Sequence, residues 1–316
     1  MIFPLHNTST RDIVKTLVTL RDTGSQGTTS RVLTLIAVLH ASDDIDTVIR
    51  ATTEASREHP SRVIVLVTGD AQAEVRLDAE VRVGGDAGAS EIIIIHLEGS
   101  VVENLVHVVT PLLLPDTPIV AWWPYTAPVN PAEDPLGVIA QRRITDAEYD
   151  SLVDALYNRR NAYTPGDSDI AWARLTPWRG VLASALDQPP HEPIISAKVY
   201  GAAESSSVDL AAGWLVDRLA VPVMRLAEER EQVLATAHAI PVTKIELERA
   251  SGTVVLETQD NPHTIAVTFP NRPTAMVAIN VRTPADCLAE ELRHLDPDAA
   301  YRSALEGLTK VHYPVV

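Results

Sequence analysis

Two runs built of β-branched and leucine residues with Ala37 the one exception, Val32–Leu39 and Val63–Val67, flank one amphipathic stretch, Asp43–His59. Ile45, Val48, Ile49 and Thr52 share a single helical face there, and Pro60 stops the helix. Strands apolar on both sides belong where both sides are covered. A strand, helix and strand in close succession form a right-handed crossover between parallel neighbours. This one unit commits the first half of the chain to a parallel sheet.

Weaker versions of the pattern surround it. Ser9–Arg21 places Ile13, Leu17 and Leu20 on one helical face, ended by the Gly/Ser/Thr loop Thr23–Ser30. Val75–Val83 alternates, Ile92–Leu97 is a buried run, Val101–Val109 reads as helical, and Ile119–Trp123 ends in Trp-Trp-Pro. Such alternation points to a Rossmann-like three-layer α/β domain over residues 1–165, with the strand order open. Tyr125–Pro135 reads as a surface loop, Glu148–Asn161 as a helix, and Thr164-Pro165-Gly166-Asp167 as the boundary.

The texture then changes. One long helix, Asp169–Leu186, is expected to carry Trp172, Leu175, Trp178 and Leu182, followed by a strand at Ile194–Tyr200. A capping box at Ser206 and Asp209 opens the next helix. After Pro241, four short runs separated by turn residues (Lys244–Glu248, Val254–Glu257, Ile265–Phe269, Ala275–Ile279) describe an antiparallel four-stranded meander with one wet face. Two helices follow, opening at Thr283-Pro284 and at Asp296-Pro297-Asp298, each with proline expected at the first helical position. Residues 166–316 are therefore expected to form an α+β domain with helices covering one side of the meander.

Charge and cysteine content narrow the partners. A net charge of −16 argues against nucleic acid or an anionic membrane, because phosphate binding needs clustered Lys and Arg. Cys287 is the one cysteine, so no internal disulfide can form. The first residues lack the pattern of a signal peptide and the apolar runs are short for a span, so a cytoplasmic location is expected.

The chemistry that motifs usually reveal is missing. Gly84-Gly85-Asp86-Ala87-Gly88 is neither a P-loop nor a dinucleotide fingerprint and leads into a strand, so it reads first as a turn. Asp43, Asp44 and Asp46 beside His40 could suggest a metal site, but acids suit a first helical turn. Cys287, next to Leu288 on an amphipathic helix, reads as a packed thiol. No catalytic residue, cofactor or metal is expected. Two functions stay open: a protein-binding module, and an enzyme or sensor holding a nucleotide or sugar phosphate near Gly84–Gly88.

Tryptophan distribution favours the first. Trp122-Trp123 should point to opposite faces of a strand end, leaving one near the surface. Trp172 and Trp178 flank Arg174 and precede Arg179. Trp and Arg are enriched at binding hot spots, so Trp122, Trp123, Arg174, Trp178 and Arg179 are candidate partner contacts; core packing is the competing reading.

Several longer segments carry a resemblance. Ala55-Ser56-Arg57-Glu58-His59-Pro60, Arg82 through Glu91, Thr110 through Asp116, Val120-Ala121-Trp122-Trp123-Pro124, Gln141 through Asp146, Leu175 through Gly180 and Glu291 through Asp298 together resemble the glucose-6-phosphate dehydrogenase assembly protein family, OpcA, in its actinobacterial form. The resemblance implies a non-catalytic partner of glucose-6-phosphate dehydrogenase that promotes assembly of the oligomer, raises its activity and supports NADPH supply through the oxidative pentose phosphate pathway. Cyanobacterial members are tied to thiol redox control; with Cys287 alone, an internal disulfide switch is not available to this chain.

Overall fold

A computed structural model describes residues 1–22, 31–84, 91–228 and 241–314. In chain order the first elements are β1 (Ile2–Leu5), α1 (Thr10–Asp22), β2 (Leu33–His40), α2 (Ile45–Ala55), β3 (Ser61–Thr68), β4 (Arg76–Val83) and β5 (Glu91–Glu98). Then come α3 (Leu105–Val109), β6 (Ile119–Trp123), α4 (Pro135–Ile139), β7 (Arg142–Thr145), α5 (Ala155–Ala162) and β8 (Asp167–Asp169). The remainder is α6 (Ile170–Ala173), α7 (Thr176–Leu186), β9 (Ser196–Gly201), α8 (Ser206–Leu219), β10 (Val223–Ala227), β11 (Val242–Arg249), β12 (Gly252–Thr258), β13 (Thr264–Thr268), β14 (Ala275–Ala278), α9 (Pro284–Arg293) and α10 (Ala299–Gly307). The loop Thr23–Ser30 and residues Gly85–Gly88 of the glycine segment lie outside the described residues.

The chain is mixed α/β and divides into two compact units. The first joins Met1–Ser168 to Pro284–Pro297, and the second joins Asp169–Thr283 to Asp298–Val316. The first unit holds an eight-stranded sheet of order β1-β4-β5-β3-β2-β6-β7-β8. Strands β5, β3, β2, β6 and β7 run parallel, as the crossover argument requires, while β4 and β1 add antiparallel at one edge. Ile13, Leu17 and Leu20 of α1 pack on one face with Ile36, Ile64, Ile93, Ile95, Ala121 and Trp123. On α2, Val48, Ile49, Ala51 and Ala55 are buried, and α9 packs against α2.

The second unit holds a six-stranded sheet, β10-β9-β11-β12-β13-β14. The four runs after Pro241 are adjacent and antiparallel, with β9 added antiparallel to β11 and β10 parallel to β9. In β11, Ile245 and Leu247 are buried while Lys244, Glu246 and Glu248 face outward. Helices α8 and α10 meet closely, because a Cβ on Gly213 would collide with the Ala304 carbonyl and one on Gly307 with that of Gly213.

Several expectations change in detail. The single helix over Asp169–Leu186 is two, α6 and α7: Pro177 has no N–H to give the Ala173 carbonyl, so the chain restarts at Thr176 with Pro177 in the first turn. The helix over Glu148–Asn161 starts only at Ala155, after Asp154 in left-handed conformation. Ser205, not Ser206, caps α8, accepting from the Val208 N–H. Pro297 precedes the α10 cap rather than opening the helix; Asp298 accepts the N–H groups of Ala300 and Tyr301. Of the two last helices, α9 lies in the first unit, against α2, rather than on the second sheet. No described helix is long and apolar enough to cross a membrane.

Candidate functional site

Open α/β sheets bind ligands beyond the carboxyl ends of their strands, where successive connections diverge. Here that place lies between β2, which ends at His40, and β6, which ends at Trp123. Tyr125 reaches across it and donates its hydroxyl to the Asp44 carbonyl at 3.4 Å. Tyr149 stacks edge-on against Tyr125, with ring centroids 6.4 Å apart. Burial, with Asp44 and Asp43 close by, pushes the Tyr125 hydroxyl up to about 12. A cleft of about 380 Å³ near the start of α2 is lined by Asp43, Asp44, Asp46, Glu80, Arg82 and His96. Its one arginine, Arg82, is paired with Glu80. Carboxylates at this position repel a phosphate rather than hold it.

The aspartates have a local explanation. Asp44 caps α2, with Oδ1 accepting the Thr47 N–H at 3.0 Å and Oδ2 its hydroxyl at 2.6 Å. Those bonds hold the Asp44 carboxyl below its usual range. Asp43 Oδ2 accepts the His40 N–H at 2.7 Å. No group of three His, Cys, Asp or Glu among the described residues is placed to hold a metal. The glycine segment is entered from Gly84, with φ of +73°, and left at Glu91, the amino end of β5. Since β5 is parallel to β3, that is the opposite end of the sheet from the crevice.

The aromatic clusters lie deeper than a surface anchor would. Trp122 and Trp123 are each only 3% exposed. They do face opposite ways, with Trp123 in the α1-side core, but a strand inside a parallel sheet is covered on both faces, so neither emerges. Trp172 and Trp178 are buried as well, as is Arg174 at the end of α6. Arg179 is half-buried. Its guanidinium sits 3.8 Å from the Trp172 ring centroid and donates to the Thr176 hydroxyl at 2.6 Å. Trp172 Nε1 donates to Asp298 Oδ2 at 2.8 Å, and its ring tilts against Tyr301 at 6.2 Å. Asp298 thus caps α10 and ties α6 to it at once. Arg174 ends α6 while Trp178 and Arg179 lie in the first turn of α7, all in the second unit, and Trp122 and Trp123 end β6 in the first.

Sequence reasoning passed over a buried polar junction. Arg142 of β7 bonds to Glu291 of α9, to the Ser168 hydroxyl at 3.2 Å and to the Asp296 carbonyl at 2.9 Å. Ser168 also donates to Glu291. Burial pushes the Glu291 carboxyl up from its ordinary value, against the opposing pull of Arg142 and Ser168. Cys287, on the same helix, is fully buried.

Comparison with known proteins addresses identity. No curated protein matches the sequence. Solved structures give faint likenesses. One is UDP-N-acetylglucosamine 3-dehydrogenase GnnA from Acidithiobacillus ferrooxidans, 6% identical, TM-score 0.34, covering 88% of this chain and 96% of that one. Another is GenD2 from gentamicin A biosynthesis in complex with NAD, 9% identical, TM-score 0.36, covering 90% and 94%. Family models speak more clearly. The glucose-6-phosphate dehydrogenase subunit N-terminal domain matches residues 52–161, and the C-terminal domain of the same subunit matches residues 165–305. With both of its domains matched in order along most of its length, this chain belongs to the OpcA family of glucose-6-phosphate dehydrogenase assembly proteins.

Proposed function

We propose that this chain is a non-catalytic partner that binds glucose-6-phosphate dehydrogenase, promotes its assembly and raises its activity allosterically. The observation that carries the reading is the paired family match over residues 52–161 and 165–305. The cleft at the start of α2 supports it, since Asp43, Asp44, Asp46 and Glu80 line it and its one arginine, Arg82, is already paired with Glu80. On this reading the first unit is a Rossmann-like layered scaffold and β11–β14 a meander, both serving to present surface rather than to hold a reacting group. Of Trp122, Trp123, Arg174, Trp178 and Arg179, only Arg179 is less than fully buried, which supports Arg179 as the proposed contact, with Trp178 and Arg174 behind it. If binding favours a more active dehydrogenase state, substrate must tighten the complex in return.

The test is NADPH formation from glucose 6-phosphate by the cognate dehydrogenase, by this chain, and by the mixture. The expected result is no turnover by this chain alone and a faster rate for the mixture than for the dehydrogenase. Turnover by this chain, or an unchanged rate on mixing, overturns the proposal.

A further inference from the structure

Arg249 ends β11 on the side of the strand that Ile245 and Leu247 bury, so its side chain enters the protein instead of leaving it. It is 5% exposed. One terminal nitrogen donates to the Pro190 carbonyl at 3.2 Å, and the buried Nε meets no acceptor. Among the described residues no carboxylate pairs with it. A guanidinium keeps its charge at any working pH, and a buried charge without a counter-ion is strongly unfavourable. Such a group calls for an anion.

The place for one is adjacent. A cavity of about 150 Å³ is bordered by Arg249, Ser251, Asn271 and Arg272, with Val254 and Phe269 supplying apolar wall. Arg272 stands at its exposed rim, its guanidinium 5.6 Å from the Phe269 ring centroid and bonded to the Pro189 carbonyl at 2.6 Å. Two arginines, a serine and an asparagine therefore border one small space. Glu192 is also at this hairpin, but its Oε2 is engaged with the Ser251 N–H at 3.1 Å. Pockets that envelop drug-sized ligands start at roughly 300 Å³, so this one suits a single small group. Arginine forks match the oxygen geometry of phosphate, and charge-assisted bonds are stronger where water is excluded.

We propose that the cavity between Arg249 and Arg272 binds a small oxyanion of the phosphate class, with Arg249 as the buried counter-charge and Arg272 as the outer clamp. The site is independent of the dehydrogenase contact, and the measurement uses this chain alone.

The full chain is melted while inorganic phosphate is titrated, against sodium chloride at matched ionic strength. A ligand that binds only the folded form raises the melting temperature in a saturable way, and that is the expected result. Arg249→Met should melt higher than the parent without phosphate, because an uncompensated buried charge is replaced by an apolar chain. It should also weaken phosphate binding by about tenfold or more, as losing bonds to a charged group does. Arg272→Ala, at an exposed position that leaves the fold intact, should weaken binding several-fold and keeps the test decisive if the Met variant fails to fold. Absence of a saturable rise in the parent overturns the proposal, as does a response retained in both variants. Acetate saturating as tightly as phosphate also overturns it. A phosphate monoester that competes with phosphate extends the site to esterified groups, and one that does not compete confines it to the free ion; either result supports the site.

Discussion

Arg142 and Arg249 are almost equally hidden, at 4% and 5% exposure, and both leave Nε without an acceptor. Their surroundings differ. Arg142 is met by a carboxylate that arrives from 149 residues away, together with a hydroxyl and a carbonyl. Arg249 has one carbonyl and an open cavity. The first arginine holds a helix in place, while the second waits on something from solution. Burial alone does not separate structural charge from binding charge; the company kept by the charge does.

The largest way to break this contrast is to remove the partner of Arg142. Glu291→Ala leaves a buried guanidinium without its carboxylate, and unfolding stability should fall by about 3–5 kcal/mol. Replacing both partners, Arg142→Met with Glu291→Leu, should instead be neutral or stabilising by up to about 4 kcal/mol, because neither charge is then desolvated. Urea melts of the single and double variants check both signs. A double variant as unstable as the single one would mean the pair stabilises outright, and the contrast with Arg249 would narrow.

The pH dependence is a smaller effect. Burial holds the Glu291 carboxyl above its ordinary value, so the folded chain binds that proton more tightly than the unfolded chain does. This contribution to stability is complete below the unfolded value of about 4.3 and is lost as pH rises through the folded value. The double variant should lack that slope in urea melts run across the acid range.

Arg179 sharpens the comparison at its weak end. Half-buried and stacked on Trp172, it should cost only about 0.5–1 kcal/mol of stability when changed to alanine. If it belongs to the dehydrogenase contact, the same change should speed dissociation of the complex well beyond that small loss. Dissociation rates from surface-immobilised dehydrogenase, set beside thermal melts, separate the two. An unchanged rate moves the contact elsewhere.

What could be read in advance follows from where partners lie along the chain. Val32–Leu39, Val63–Val67 and Ile92–Leu97 are legible as buried strands because their own side chains are apolar, and β2, β3 and β5 occupy them. The strand β7, Arg-Arg-Ile-Thr, is fully buried yet has no apolar run to announce it. Its arginines are tolerated only because Asp167 and Glu291 meet them, and no local pattern encodes that. An amphipathic helix such as α9 declares that one face is covered without saying by what, which is why its place beside α2 was not legible. At the candidate contact, the residue types could be read but their depth could not: Trp178 is buried, and Trp172, on which Arg179 stacks, is satisfied by Asp298, 126 residues on. Arg249 did leave a trace. It continues the inward alternation of Ile245 and Leu247, an odd position for a charge, and that register marks it.

The late arrival of α9 has a consequence for how the protein is made. A chain leaves the ribosome from its amino end at roughly 5–20 residues per second, and early units usually fold as they emerge. Here the first unit is not finished when Ser168 is out, since Pro284–Pro297 belongs to it. Until Glu291 appears, Arg142 has no carboxylate and α2 lacks the helix that packs against it. The nascent amino-terminal unit therefore stays incomplete through synthesis of Asp169–Thr283, and a product truncated anywhere in that stretch lacks both the helix that packs on α2 and the carboxylate that meets Arg142.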